Sequence, residues 1–224
     1  MPIASTFAAA AARGFGFGQG ILIPRVGTGV TNSSGTTSTS LSLPSGSSVG
    51  DFCVVYVAFQ GFVDDNTVTS AGAGTWTKSA LLWTTLGYYS AIFRKTLATG
   101  DLAGLTLHQP LSPNPSPVIV AVYPSSVTTL TVKSSTSSAG STLTLTGFTR
   151  AINSKVVLSF ISDRDVGGTA TVSGPLTVVT SGDNGVFLSV MADCTVVSRY
   201  AGSNVVWSSL SAIFEQAGYL VELT

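Results

Sequence analysis

From Thr36 onward, apolar and polar residues alternate with a period of two. Leu41 and Leu43 alternate with Ser40 and Ser42, the pattern of a strand with one face buried. The turn-rich stretch PSGSSVGD then leads into FCVVYVAFQ. Later come GYYSAIFRK, LTLH, PVIVAVY, STLTLT, KVVLSFIS, VFLSVMAD, NVVWSS and YLVEL. Each run is short, rich in β-branched and aromatic residues, and bounded by Gly, Pro, Asn or Ser. This predicts an all-β, antiparallel, jelly-roll-like β-sandwich over 31–224. No helical stripe follows residue 12.

Two features of the pattern go further. In 52–59 both faces are apolar: Phe52, Val54, Tyr56 and Ala58 on one, Cys53, Val55, Val57 and Phe59 on the other. An antiparallel strand of this kind needs cover on both sides. A neighbouring subunit, the N-terminal arm or the rest of the chain's own fold could supply it. In 156–160 the even positions are apolar and Ser159 points the other way, which predicts one buried face. The chain also aligns with itself. An offset of 102 carries Leu41, Leu43, Val54 and Val55 onto Leu143, Leu145, Val156 and Val157, and an offset of 99 carries Tyr89, Ala91 and Ile92 onto Leu188, Val190 and Met191. Two pseudo-repeated halves, about 36–124 and 138–224, are one explanation. The similarity of any two Ser/Thr/Leu-rich strands is the other.

Residues 1–30 break the pattern. AAAAARGFGFGQG and ILIPRVGTGV have no core of their own, so they read as an arm that takes its order from another surface. Ser5 or Thr6 caps a predicted short helix through Ala12, with Gly14 ending it. Small Ala and Gly allow close backbone approach, and Phe15 and Phe17 suit apolar pockets on a neighbour. The expected assembly contacts of the arm are Arg13, Phe15, Phe17, Ile21, Ile23 and Arg25. Folding back on the chain's own body is the alternative.

Composition narrows the functional classes. Of 224 residues only 9% are charged, and ten basic residues balance ten acidic ones. A neutral surface favours association and argues against nucleic-acid binding, which needs a dense cationic face. With 32 Ser and 29 Thr, small hydroxyls must cover much of the surface. The apolar run 52–63 is too short to span a bilayer, and no charge precedes Arg13, so the N-terminus does not read as a signal peptide. Cys53 and Cys194 read as buried free thiols rather than a staple.

Chemistry is sparse. The single histidine, His108, faces outward with Thr106, opposite Leu105 and Leu107. The glycine run fails the dinucleotide spacing at Gln19 and lacks a phosphate-loop lysine. Acids cluster at Asp64-Asp65-Asn66 and at Asp163-Arg164-Asp165, each after a long strand. Such pairs serve glycoside hydrolysis or calcium, but the spacing matches no calcium loop and polar turns are the simpler reading. They are retained as a ligand loop. Trp83 and Trp207 read as core; Trp76 reads either as the one exposed tryptophan or as a further core residue. No catalytic residue, metal site or cofactor is expected, and an enzyme is not the expectation.

The segments TSTSLSLPSGSSVGDFCVVYVAFQG, GTWTKSALL, YYSAIFRKTL and PVIVAVY, in that order, resemble β-sandwich proteins of tailed-bacteriophage virions. Pro44, Gly46, Gly50, Asp51, Trp76, Thr77, Arg94 and Tyr123 carry the resemblance. Thr75 departs from it, standing where that family has glycine before the tryptophan. The resemblance implies a virion structural protein, a capsid decoration, head-fibre or tail-surface component. Its partners would be other virion proteins and further copies of itself, with no nucleic acid and no membrane. The alternative is a carbohydrate- or receptor-binding module of a phage tail, with a glycan as partner.

Overall fold

A computed structural model describes residues 23–32, 37–60, 66–84, 88–109, 117–146, 153–164, 169–194, 204–211 and 215–224. The first half of the chain forms β1 (Gly27–Asn32), β2 (Ser38–Leu41), β3 (Phe52–Gln60), β4 (Thr67–Ser70), β5 (Thr77–Trp83), β6 (Tyr88–Thr96), β7 (Leu105–His108) and β8 (Pro117–Tyr123). The second forms β9 (Leu130–Ala139), β10 (Thr142–Leu145), β11 (Val156–Asp163), β12 (Thr171–Val172), β13 (Thr177–Asp183), β14 (Leu188–Cys194), β15 (Val205–Ser208) and β16 (Glu215–Leu223). A 3-10 turn, Thr99–Ala103, is the one helical element among the described residues. The predicted helix through Ala12 lies outside them.

The turn motif before β3 is local chemistry. Gly46 and Gly50 sit at φ 89° and 93°, where a side chain is strained and glycine is not. Ser47 Oγ donates to Pro44 O at 2.7 Å, and Ser48 N donates to Asp51 Oδ2 at 2.8 Å. The turn then hands the chain to β3, with Leu97 N bonded to Asp51 O at 2.8 Å.

The strands make four antiparallel sheets. Their orders are β2-β7-β4 and β1-β8-β3-β6-β5 in the first half, and β10-β15-β12 and β9-β16-β11-β14-β13 in the second. The second pair repeats the first with every strand number raised by eight. The two five-stranded sheets face each other, and each three-stranded sheet covers the outer side of one of them, giving four layers and three cores. Phe52, Val54, Tyr56 and Ala58 of β3 meet Val156, Leu158 and Phe160 of β11 in the central core. Cys53, Val55, Val57 and Phe59 face Leu41, Leu105 and Leu107 under the first outer sheet. The cover for the Phe52 face of β3 is therefore the chain's own other half, and that for the Cys53 face its own outer sheet.

The expectation of a single buried face on β11 is corrected. Val157 and Ile161 face Leu143, Val205 and Trp207 beneath the second outer sheet. Ser159 on that same face is wholly buried. Its hydroxyl accepts from Trp207 Nε1 at 2.8 Å and donates to Tyr219 O at 3.0 Å. A serine with both roles filled can sit in a core, so its polarity did not mark an exposed face.

The registers explain the two offsets. Leu41 pairs with Leu105 and Leu143 with Trp207; Val30 pairs with Ile119 and Val132 with Val221. Both partners advance by the same 102 positions. The β5–β6 and β13–β14 hairpins each carry a bulge, between Lys78 and Ala80 and between Val178 and Thr180. Their second strands match at the shorter offset, Phe93 on Ala192 and Ile92 on Met191, while the bulged strands match at 100, Lys78 on Val178 and Ala80 on Thr180. Yet Tyr56 pairs with Ile92 while Leu158 pairs with Asp193. The second hairpin has thus moved two residues along its neighbour, a slip that leaves every side chain on its original face.

Candidate functional site

The described root of the arm begins at Ile23, which is buried in the central core. Two residues on, Arg25 forms an ion pair with Asp193 of β14, and Asp193 Oδ2 also accepts from Tyr123 OH at 3.2 Å. Burial raises the Asp193 carboxyl above its usual range, although Arg25 and Tyr123 pull the other way. Val26 N donates to Val122 O at 2.8 Å, and Gly27 to Asn32 then run along β8. Ile23 and Arg25, expected to contact a neighbour, thus contact this chain's own body, and the boundary drawn at residue 30 cuts through β1. Arg13, Phe15, Phe17 and Ile21 lie outside the described residues.

The expected ligand loop is divided. Asp64, Asp65 and Asp165 lie outside the described residues. Asn66 is fully buried, and its Nδ2 donates to Tyr89 OH at 2.6 Å. Asp163 is buried in the other half, where its Oδ2 accepts from Ser211 N at 2.6 Å. Burial costs each side chain its hydration, and these hydrogen bonds offset that cost. His108 is half-exposed and shares a 2.9 Å hydrogen bond with Thr69 Oγ1. Cys53 and Cys194 are buried in different cores and form no disulfide, and burial pushes the Cys53 thiol well up. Among the described residues, no group of three His, Cys, Asp or Glu could hold a metal ion.

A different constellation stands out where the first sandwich is open. Strand β4 is the edge of the outer sheet and β5 the edge of the inner one, and they are not paired with each other. The cleft between them has a volume of about 590 Å³ and is lined by Asn66, Val68, Thr75, Trp76, Lys78 and Phe93, among others. Lys78 Nζ lies 5.5 Å from the centre of the Phe93 ring. A buried polar network supports the cleft wall. Lys95 Nζ donates to Asp101 Oδ1 at 2.8 Å, to Gly72 O at 3.1 Å and to Ser70 Oγ at 3.3 Å. Ala98 N donates to Asp101 Oδ2 at 2.7 Å, Ser70 Oγ donates to Asp101, and Trp76 Nε1 donates to Ser70 Oγ at 3.0 Å. Burial works to raise the Asp101 carboxyl, but these hydrogen bonds and the Lys95 charge outweigh it and hold the group below its usual value.

Lys95, Asp101 and Ser70 escaped the sequence reading. Lys95 sits beside Arg94 at the end of an apolar strand, where a charge reads as solvated. Arg94, the basic residue singled out by resemblance, instead bonds Ser79 Oγ at 3.0 Å. The clue was the odd position of Lys95, which shares a face with Ala91 and Phe93. Trp76 is half-buried and at the cleft, and Trp207 is core. The side chains of Trp83 and Tyr88 lie outside the described set.

The chain matches no family model, no curated protein and no solved structure.

Proposed function

We propose that this chain is a structural component of a tailed-bacteriophage virion, a capsid decoration, head-fibre or tail-surface protein held by its N-terminal arm. The single observation that carries this reading is how the root of the arm is fastened. Ile23 is set into the core shared by both halves, Arg25 pairs with Asp193 of the second half, and all six residues of β1 pair with β8. Force on the arm would load a ladder in shear and an ion pair together, so the body need not open when its tether is pulled. A charge-poor Ser/Thr surface supports the same reading, because it lets many copies stand side by side without mutual repulsion. The stretch 8–20, an alanine run followed by glycines alternating with Phe15 and Phe17, would then be the part that meets a neighbouring capsid or tail subunit.

Removing residues 1–20 is expected to leave a folded body that no longer binds particles. Antibody to the body should label virions of the phage that encodes the full chain, and fail to label virions assembled with the truncated one. Equal labelling of the two would remove the arm from the reading, and no labelling of either would remove the virion.

A further inference from the structure

We propose that the cleft between β4 and β5 is a saccharide-binding site. Its volume of about 590 Å³ is that of a small-molecule site, and its wall contains an unmet polar group. Asn66 is fully buried; Nδ2 is held by Tyr89 OH, while Oδ1 has no hydrogen-bond partner. Turning the amide over would leave its other end open instead. A hydroxyl both donates and accepts, so a ligand hydroxyl that reaches this amide from the cleft would satisfy it either way. Around this group the cleft is mixed in the manner of a sugar. Half-buried Trp76 supplies apolar surface for ring C–H groups, buried Val68 and Phe93 back the cleft wall, and the exposed Thr67 and Thr75 stand at the rim.

The second half shows that the fold does not require these groups. There the ladder puts Val172 in the place of Ser70, and the hairpin registers, 100 positions on for β5 and 99 for β6, put Leu176 and Cys194 in the places of Trp76 and Lys95. All three join the second outer core. The same architecture carries apolar side chains at these positions in one half and a polar network in the other. Buried ion pairs are weak as stabilisers compared with apolar packing. The Lys95–Asp101–Ser70 network is therefore assigned to holding the Trp76 indole at the cleft, making Lys95 and Asp101 positioning residues.

The test is saturation-transfer NMR on the full chain, with methyl pyranosides of glucose, galactose and mannose and with N-acetylglucosamine as probes. At least one probe is expected to receive saturation at its ring C–H protons. Trp76→Ala and Asn66→Leu should each weaken its affinity by about tenfold, and Trp76→Phe by less. If Asn66→Leu does not fold, the rim variants Thr75→Ala and Lys78→Ala replace it, with weaker binding expected at an unchanged melting temperature. Transfer to none of the probes, or transfer that persists in folded Trp76→Ala, overturns the proposal. So does a crystal soaked in these sugars whose cleft holds only water on Asn66. None of these measurements involves a particle, so the site and the virion reading stand or fall separately.

Discussion

At the scale of single residues, the decisive groups are polar side chains taken inside with their partners. Lys95 and Asp101 are both buried and joined at 2.8 Å, and each oxygen of the carboxylate has a donor. Removing one member leaves the other charge buried alone. Asp101→Ala is therefore expected to cost about 3–5 kcal/mol, and adding Lys95→Met to it to recover part of that loss. Urea unfolding of the three variants checks the order. The pH dependence has a definite sign. Because the folded Asp101 value is depressed, its stabilisation is complete above the unfolded carboxylate value of about 4 and is lost as pH falls through the folded value. Asp193 runs the other way: its folded value is raised, so its contribution is present below the unfolded value and is lost as pH rises through the folded one. The difference in stability between wild type and Asp101→Ala should shrink on acidification, and a difference constant with pH would contradict the assignment.

At the scale of elements, the two halves meet through reciprocal contacts, β1 on β13 and β9 on β5. Tyr56 of β3 stacks on Phe160 of β11 at 4.9 Å and shares a 2.6 Å hydrogen bond with Ser162. Tyr219 of β16 donates to Ser90 O of β6 at 2.6 Å. Close approach of β13 to β1 and β8 depends on Gly182. A Cβ there would lie 2.5 Å from Val30 Cγ1 and 2.7 Å from Pro117 Cβ. Neither neighbour is the end of a flexible chain, so Gly182→Ala must push the strands apart, at an expected cost of about 1–3 kcal/mol. Gly185, in the turn after β13, has open space but sits at φ 82°, and offers a control in which backbone strain acts without crowding. Denaturant midpoints for the two variants, with crystal structures for strand separation, separate these causes.

At the scale of the whole molecule, the inner sheets are buried on both sides only because each half covers the other. Produced alone, residues 23–127 would expose Phe52, Val54, Tyr56, Ile92, Ile119 and Tyr123, which face the central core in the intact chain. Such a patch is expected to drive self-association, and mixing with residues 128–224 should restore a one-to-one complex, as sedimentation would show. A stable monomer of the isolated half would mean that the central core is dispensable. Much of this architecture was legible in the amino-acid pattern. The strands, the two apolar faces of β3 and the paired offsets all follow from a period-two alternation, which each segment carries locally. That alternation reports that a face is covered and is silent about what covers it. The identity of the cover, the burial of Ser159, the inward turn of Asn66 and Asp163, and the meeting of Lys95 with Asp101 and Trp76 came only with the tertiary structure. Each depends on a partner from another strand, and whether a polar side chain is buried is decided by whether that partner arrives.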